Sequence, residues 1–284
     1  MTIYSCEHEL EAMFTCIYVA WASGKGFRNI KLMLEPIEQY TLFDEYIHVD
    51  ADTAKSNSVA DAICNKISPY VYRQLAYYSM AYEDDVLDNM YRILLLGFNY
   101  GPNVLSMVQY KEVMRYTEIR KRLSTETCKF KEIVRFHAMG KANSYDIDDS
   151  NDIGNLNETH GKGISLARMG SLLYVAHIEP KSRLIVALGP VFEDRMPSEH
   201  WMIIDDVHKE AIIHPANEHY YLRQLSRDEY EQLLVTEKEN DHFTDLWKVF
   251  FDSIAIKERE NYRCQRTLLP LWYRKHAVEF EDVV

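Results

Sequence analysis

The sequence predicts an α+β protein, with a helical N-terminal half, a central antiparallel sheet and C-terminal helices. Three observations carry that expectation. Apolar residues recur at spacings of three and four through much of the first 125 positions. Short β-branched or aromatic runs broken by turn residues crowd positions 131–225. Helical periodicity returns after Ser226. The division that follows is a helical region at 1–125 and a sheet with C-terminal helices at 126–284, packed together as one unit.

Along the chain, 7–22 reads as an amphipathic helix with Leu10, Met13, Phe14, Ile17 and Trp21 on one face, closed by Gly24 and Gly26. Segments 53–67, 69–81 and 84–97 follow as helices, and "GFNYGPNV" breaks the pattern at 97–104. A helix over about 103–124 then carries Val113, Tyr116, Ile119 and Leu123 inward, with Lys111, Arg115 and Arg122 grouped on another face beside Glu118. Strands are predicted at 131–139, 171–179, 183–189, 200–206, 210–215 and 219–225. Turn chemistry at Pro180–Ser182, Asp206–Lys209 and Pro215–Asn217 separates several of them. Such short connections favour a meander over βαβ units. The polar, acidic stretch 140–163 reads as an insertion loop. A Ser226-x-x-Glu229 capping box opens one helix, and another is expected near 241–260.

Composition excludes several classes. Of 284 residues, 47% are hydrophobic, with ten Gly and eight Pro, so a packed core is available and a collagenous or low-complexity chain is ruled out. The longest apolar runs, such as 93–98, fall far short of the roughly 20 residues that cross a bilayer, and the acidic N-terminus lacks a signal-peptide pattern. Five scattered Cys without a Cys-x-x-Cys pair point to reduced, mostly buried thiols and a cytoplasmic protein with no membrane association. Tyr dominates the aromatics, with 20 copies. The net charge of −12 is uneven: 111–141 carries +5 and 256–276 carries +4, against −21 for the remainder. Should the two basic islands meet, they form one cationic face; separately, they are solvated helix faces.

Established catalytic patterns are missing. "HELEAM" at 8–13 starts like a zincin motif, but Ala12 replaces the second histidine. A zinc-deaminase Pro-Cys-x-x-Cys, a phosphate loop and a Gly-x-Ser-x-Gly elbow are all absent, and "HGKG" at 160–163 reads as loop punctuation. His200, Asp205, Asp206, His208, His214 and His219 crowd the strand region, yet strand alternation should scatter them and their spacing fits no metal set. No metal and no cofactor are therefore expected. At 255–275, Arg, Lys, Asn, Gln, Trp and Tyr interleave, a mixture able to hold phosphates and stack on bases.

Two long strings give the chain a likeness: "YVAHIEPKSRLIVALGPVFEDRMPSEHWMIIDDVHKEAI" at 174–212 and "LWKVFFDSIAIKERENYRCQRTLLPLWY" at 246–273. Shorter stretches at 3–21, 48–63, 94–101 and 126–136 extend it. In these the chain resembles a bacterial family of DNA-metabolism proteins with no assigned reaction. Members accompany a radical-SAM protein similar to a spore photoproduct lyase, and a related domain is fused to some uracil-DNA glycosylases. Cys128-Lys129 stands where that family usually has His-Arg, and the glycosylase portion is missing, so base excision does not carry over.

The resemblance implies an accessory factor in DNA repair or DNA metabolism, binding DNA, the radical-SAM partner, or both. The expected nucleic-acid contacts are Lys111, Arg115, Arg122, Lys129, Arg135, Arg259, Asn261, Arg263, Gln265, Arg266, Tyr273 and Arg274, with Tyr262 and Trp272 as neighbouring rings and single-stranded or distorted DNA preferred. One alternative is a nucleic-acid-processing enzyme using Glu179, Asp205 or Glu258 with His208. The other is a protein adaptor without DNA contact.

Overall fold

A computed structural model describes residues 1–37, 39–139, 173–228, 230–231, 249–250, 253, 261–277 and 279–280. The insertion loop at 140–163, Glu229, Glu258, Arg259 and most of the helix expected at 241–260 lie outside these. The architecture is α+β, and the chain divides into two compact units. Met1–Cys128 with Lys181–Leu184 forms the first, and Lys129–Pro180 with Ile185–Val284 forms the second.

The first unit contains a sheet that helical periodicity conceals. Strand β1 (Thr2–Cys6) lies between β2 (Ile30–Leu34) and β3 (Glu45–His48), parallel to both. All five β1 residues are buried, so this strand shows no alternation. The crossover to β2 is α1 (Leu10–Ala22), which buries Met13, Phe14, Cys16 and Ile17. Next come α2 (Thr53–Lys66), capped by the Asp52 carboxylate accepting from Lys55 N, and α3 (Pro69–Tyr78), capped by Ser68 with proline at its first position. In α4 (Val86–Tyr100), Leu87, Met90, Ile93 and Leu94 are buried. A 3-10 turn over Gly101–Ser106 precedes α5 (Lys111–Ile133). The inward stripe of α5 is the expected one, since Val113, Tyr116, Ile119 and Leu123 are buried. Each such side chain removed from water contributes about 1.5–3 kcal/mol. Within this unit Glu126 fixes the 181–184 segment, accepting from Lys181 N at 2.7 Å and Ser182 Oγ at 2.7 Å.

The second unit is built on a five-stranded sheet of order β4 (His137–Met139), β5 (Leu173–Ile178), β6 (His200–Asp205), β7 (Glu210–His214) and β8 (Tyr221–Gln224). Its central pair corrects the expected meander, because β5 and β6 are parallel while the other three pairs are antiparallel. The cause is α6 (Ile185–Arg195), a helix where 183–189 reads as a strand. Ile185, Leu188, Gly189 and Phe192 are its buried positions, a helical period that shows only when the window extends past Pro190. The strand expected over 131–139 shrinks to three residues for a related reason, as α5 continues to Ile133. One sheet face gathers Val175, Met202, Ile204, Ala211 and Ile213 into a core. Elsewhere Trp201 is fully buried, stacked on His214 at 4.8 Å between ring centroids and 6.2 Å from Phe192. The exposed helix α7 (Tyr262–Leu268) and a 3-10 turn over Leu271–Arg274 follow near the C-terminus.

Among the described residues, no helix is long and apolar enough to cross a membrane. All five cysteines are free, but only Cys6 and Cys16 are buried. Cys64 is half-buried and Cys128 and Cys264 are exposed, fewer buried thiols than the sequence suggests.

Candidate functional site

Parallel strands end side by side, and the space beyond their carboxyl ends is where open sheets commonly place ligands. In the second unit β5 ends at Ile178 and β6 at Asp205, so Glu179 and Asp206 emerge next to each other. The backbone holds this corner, with Asp206 N donating to Ile178 O at 2.9 Å. His276 joins them from the C-terminal segment, its Nε2 lying 3.1 Å from Glu179 Oε1 and 3.5 Å from Asp206 Oδ2. Around this trio, His177 Nδ1 sits 2.8 Å from Asp206 Oδ1, which also accepts from the Tyr230 hydroxyl at 2.9 Å. Lys275 pairs with the other oxygen of Glu179.

The electrostatics follow from these partners. Burial pushes the Asp206 carboxyl up, but the hydrogen bond and charge of His177, the Tyr230 hydroxyl and the charge of His276 outweigh it. Asp206 therefore ionises below the ordinary carboxylate range and is an anion at neutral pH. Glu179, Asp206 and His276 are all partly accessible, so the corner opens to solvent.

The six-residue His/Asp group of the sequence does not converge. Only Asp206 enters this corner. Asp205 is fully buried and serves the β6–β7 turn, its Oδ1 accepting from Val207 N and His208 N, while its Oδ2 faces His208 Nδ1 at 2.7 Å. Lys209 closes that turn with a φ of 57°. His214 stacks on Trp201, His219 pairs with Glu193 at 2.9 Å, and His200 Nδ1 accepts from Ala216 N. Of the candidate acids, Glu179 belongs to the corner, and Glu258 lies outside the described residues. His177, His276, Tyr230 and Lys275 escape sequence reasoning, because their convergence depends on the parallel β5–β6 pair and on 70 residues of intervening chain.

The expected nucleic-acid contacts separate into two kinds. In the first unit, Arg115 grips Asp85 through Nε at 2.7 Å and Nη2 at 2.9 Å. Its neighbour Arg122 lies 2.8 Å from the buried Glu83, and Lys111 approaches Glu112 at 3.9 Å. Burial raises the Glu83 carboxyl despite the Arg122 charge. Lys111 and Arg115 line a cleft of about 640 Å³ that Asp85, Asp88 and Glu112 also line, so it is of mixed charge. In the second unit, Lys129 lies 3.7 Å from Glu132, and Arg135 pairs with Glu279 at 2.6 Å.

The C-terminal segment differs. Asn261 caps α7, its side chain accepting from Cys264 N, and Arg263, Gln265 and Arg266 are exposed. Among the described residues, neither Arg263 nor Arg266 meets a carboxylate. Arg274 is buried, its Nε donating to Leu269 O at 2.9 Å and its guanidinium 4.5 Å from the centroid of the Phe280 ring. Among the described residues its Nη2 has no hydrogen-bond partner. Burial, then the charge of Arg266, lowers its affinity for a proton. Tyr273 is stacked on Trp272 at 3.7 Å and packed against Phe130 at 5.3 Å, whereas Tyr262 is 59% exposed.

Residues 164–279 match the model of a domain of unknown function, DUF4130. The match covers less than half of the chain and takes in β5–β8, α6, α7 and the Glu179–Asp206–His276 corner. No curated protein and no solved structure matches the chain.

Proposed function

We propose that this protein is a nucleic-acid-binding accessory factor of DNA metabolism, and that it binds through the C-terminal segment Asn261–Arg274 rather than through α5. The observation that carries the reading is the imbalance of charge there. Arg263 and Arg266 stand exposed without carboxylates among the described residues, next to a buried Arg274 whose Nη2 is unsatisfied. A buried cation without a counter-charge is costly, and a phosphate is the anion a guanidinium fork fits best. Tyr262 adds an exposed ring on which an unpaired base can stack. Outside the two basic islands the chain is acidic, so contacts are few and single-stranded or distorted DNA is favoured over intact duplex. The association with a radical-SAM partner rests on the sequence resemblance and belongs to the same proposal.

Fluorescence anisotropy with labelled single-stranded, bulged and duplex oligonucleotides at low salt tests the reading. Saturable binding that is strongest for the single strand is expected. Absence of binding to all three would remove the DNA contact and leave a protein adaptor.

A further inference from the structure

We propose that Glu179, Asp206 and His276 form a binding site for a first-row divalent transition metal, contrary to the sequence expectation of no metal. The inference is independent of the nucleic-acid reading. Ligand atoms about 2.0–2.2 Å from one cation sit roughly 3–3.5 Å from their neighbours. The separations of His276 Nε2 from Glu179 Oε1 and Asp206 Oδ2, 3.1 and 3.5 Å, match that spacing. All three donor atoms lie within 4.8 Å of one another.

The surroundings are those of a held ligand set. Metal-bound carboxylates are usually fixed by outer hydrogen bonds. Here Tyr230 and His177 occupy Asp206 Oδ1, and His177 Nδ1 also lies 3.0 Å from Oδ2, the oxygen facing His276. Lys275 takes Glu179 Oε2 and leaves Oε1 turned to the same point. The position is the mouth of the parallel β5–β6 pair, where the backbone cannot shift without breaking the register Ile178↔Asp205. One imidazole and two carboxylates favour zinc, manganese, cobalt or ferrous iron over magnesium or calcium, which prefer oxygen alone. Three protein donors leave at least one coordination position for water on the solvent side.

The competing arrangement is a protonated His276 clamped by two carboxylates, with no cation. Chelator-treated full-length protein titrated with Co²⁺ and Zn²⁺, followed by visible absorption and calorimetry, separates the two. One equivalent per chain is expected, with affinity at least tenfold weaker in His276→Ala and Asp206→Asn. Tyr230→Phe should lose less, and Glu199→Gln, at an exposed carboxylate away from the corner, should bind like wild type. Because Asp206→Asn can perturb the fold, Mn²⁺ broadening of the His276 and His177 ring resonances in the wild-type NMR spectrum provides a second readout. Selective broadening of those two rings supports the site. No saturable binding, uniform broadening of all histidines, or unchanged affinity in both variants would overturn it.

Discussion

The two basic islands of this chain have similar net charge in the sequence, yet Arg115 and Arg122 in one and Arg263 and Arg266 in the other meet different surroundings in the structure. On α5, Arg115 is held by both oxygens of Asp85 and Arg122 faces Glu83, so these two positive charges are answered within the first unit. Around α7, Arg263 and Arg266 project without carboxylates among the described residues, and Arg274 is buried beside an aromatic ring. An ion pair already made must be broken before a phosphate can use its cation, whereas an unpaired guanidinium needs only to shed water. Net charge over a window is thus a poor guide to an anion site. What decides is whether the fold brings carboxylates to the same place.

Five substitutions sharpen this contrast, and Arg122→Ala should have the largest effect. It strips the counter-charge from the buried Glu83 and should cost about 1–3 kcal/mol of stability by urea unfolding at neutral pH. Burial already places the Glu83 pKa above its unfolded value, so its neutral form is favoured in the fold. The penalty should therefore shrink as pH falls from neutrality into the raised carboxylate range. A penalty that is independent of pH would show that Glu83 is not the cause.

Next is Tyr262→Ala, which should lower single-strand affinity by about 1 kcal/mol, roughly fivefold, without changing its salt dependence. Tyr273→Ala, by contrast, should lower the melting temperature, because that ring is engaged with Trp272 and Phe130. Asp85→Asn should cost about 0.2–1 kcal/mol, as expected for an accessible two-pronged pair. The Arg115 guanidinium holds Asp85 below its unfolded pKa. Its contribution is therefore present above the ordinary carboxylate range and is lost as pH falls through the depressed one. Wild type and variant should converge in acid, and a gap that persists there would contradict the assignment. Lys129→Ala should change stability least, since its distance to Glu132 is 3.7 Å on a solvent-facing helix turn.

Much of the fold was legible where one physical signal dominated. The α5 stripe, the turns at Asp206–Lys209 and Pro215–Asn217, and strands β6 and β7 follow from period and turn chemistry. Strand β1 was hidden because burial on both faces removes alternation, and α6 because a short run of Leu, Ile and Val reads equally well as strand or helix. That second miss concealed the candidate site. With α6 taken as a strand, it stands between β5 and β6, so Glu179 and Asp206 are held a strand apart instead of leaving adjacent strands. The crossover helix places them together. Likewise, the pairing of Arg115 with Asp85 joins residues 30 positions apart, which no local window reports.

The central claim is that the unpaired cations of α7, and not the paired cations of α5, meet phosphate. The direct measurement is the salt dependence of single-strand binding for Arg263→Ala/Arg266→Ala beside Arg115→Ala/Lys129→Ala. Each lost phosphate contact on a single strand reduces the log–log slope by about 0.7. The first pair should flatten the slope by about 1.4 and weaken binding near physiological salt, while the second should reproduce the wild-type slope. A slope that flattens for Arg115→Ala/Lys129→Ala and stays unchanged for Arg263→Ala/Arg266→Ala would contradict the account.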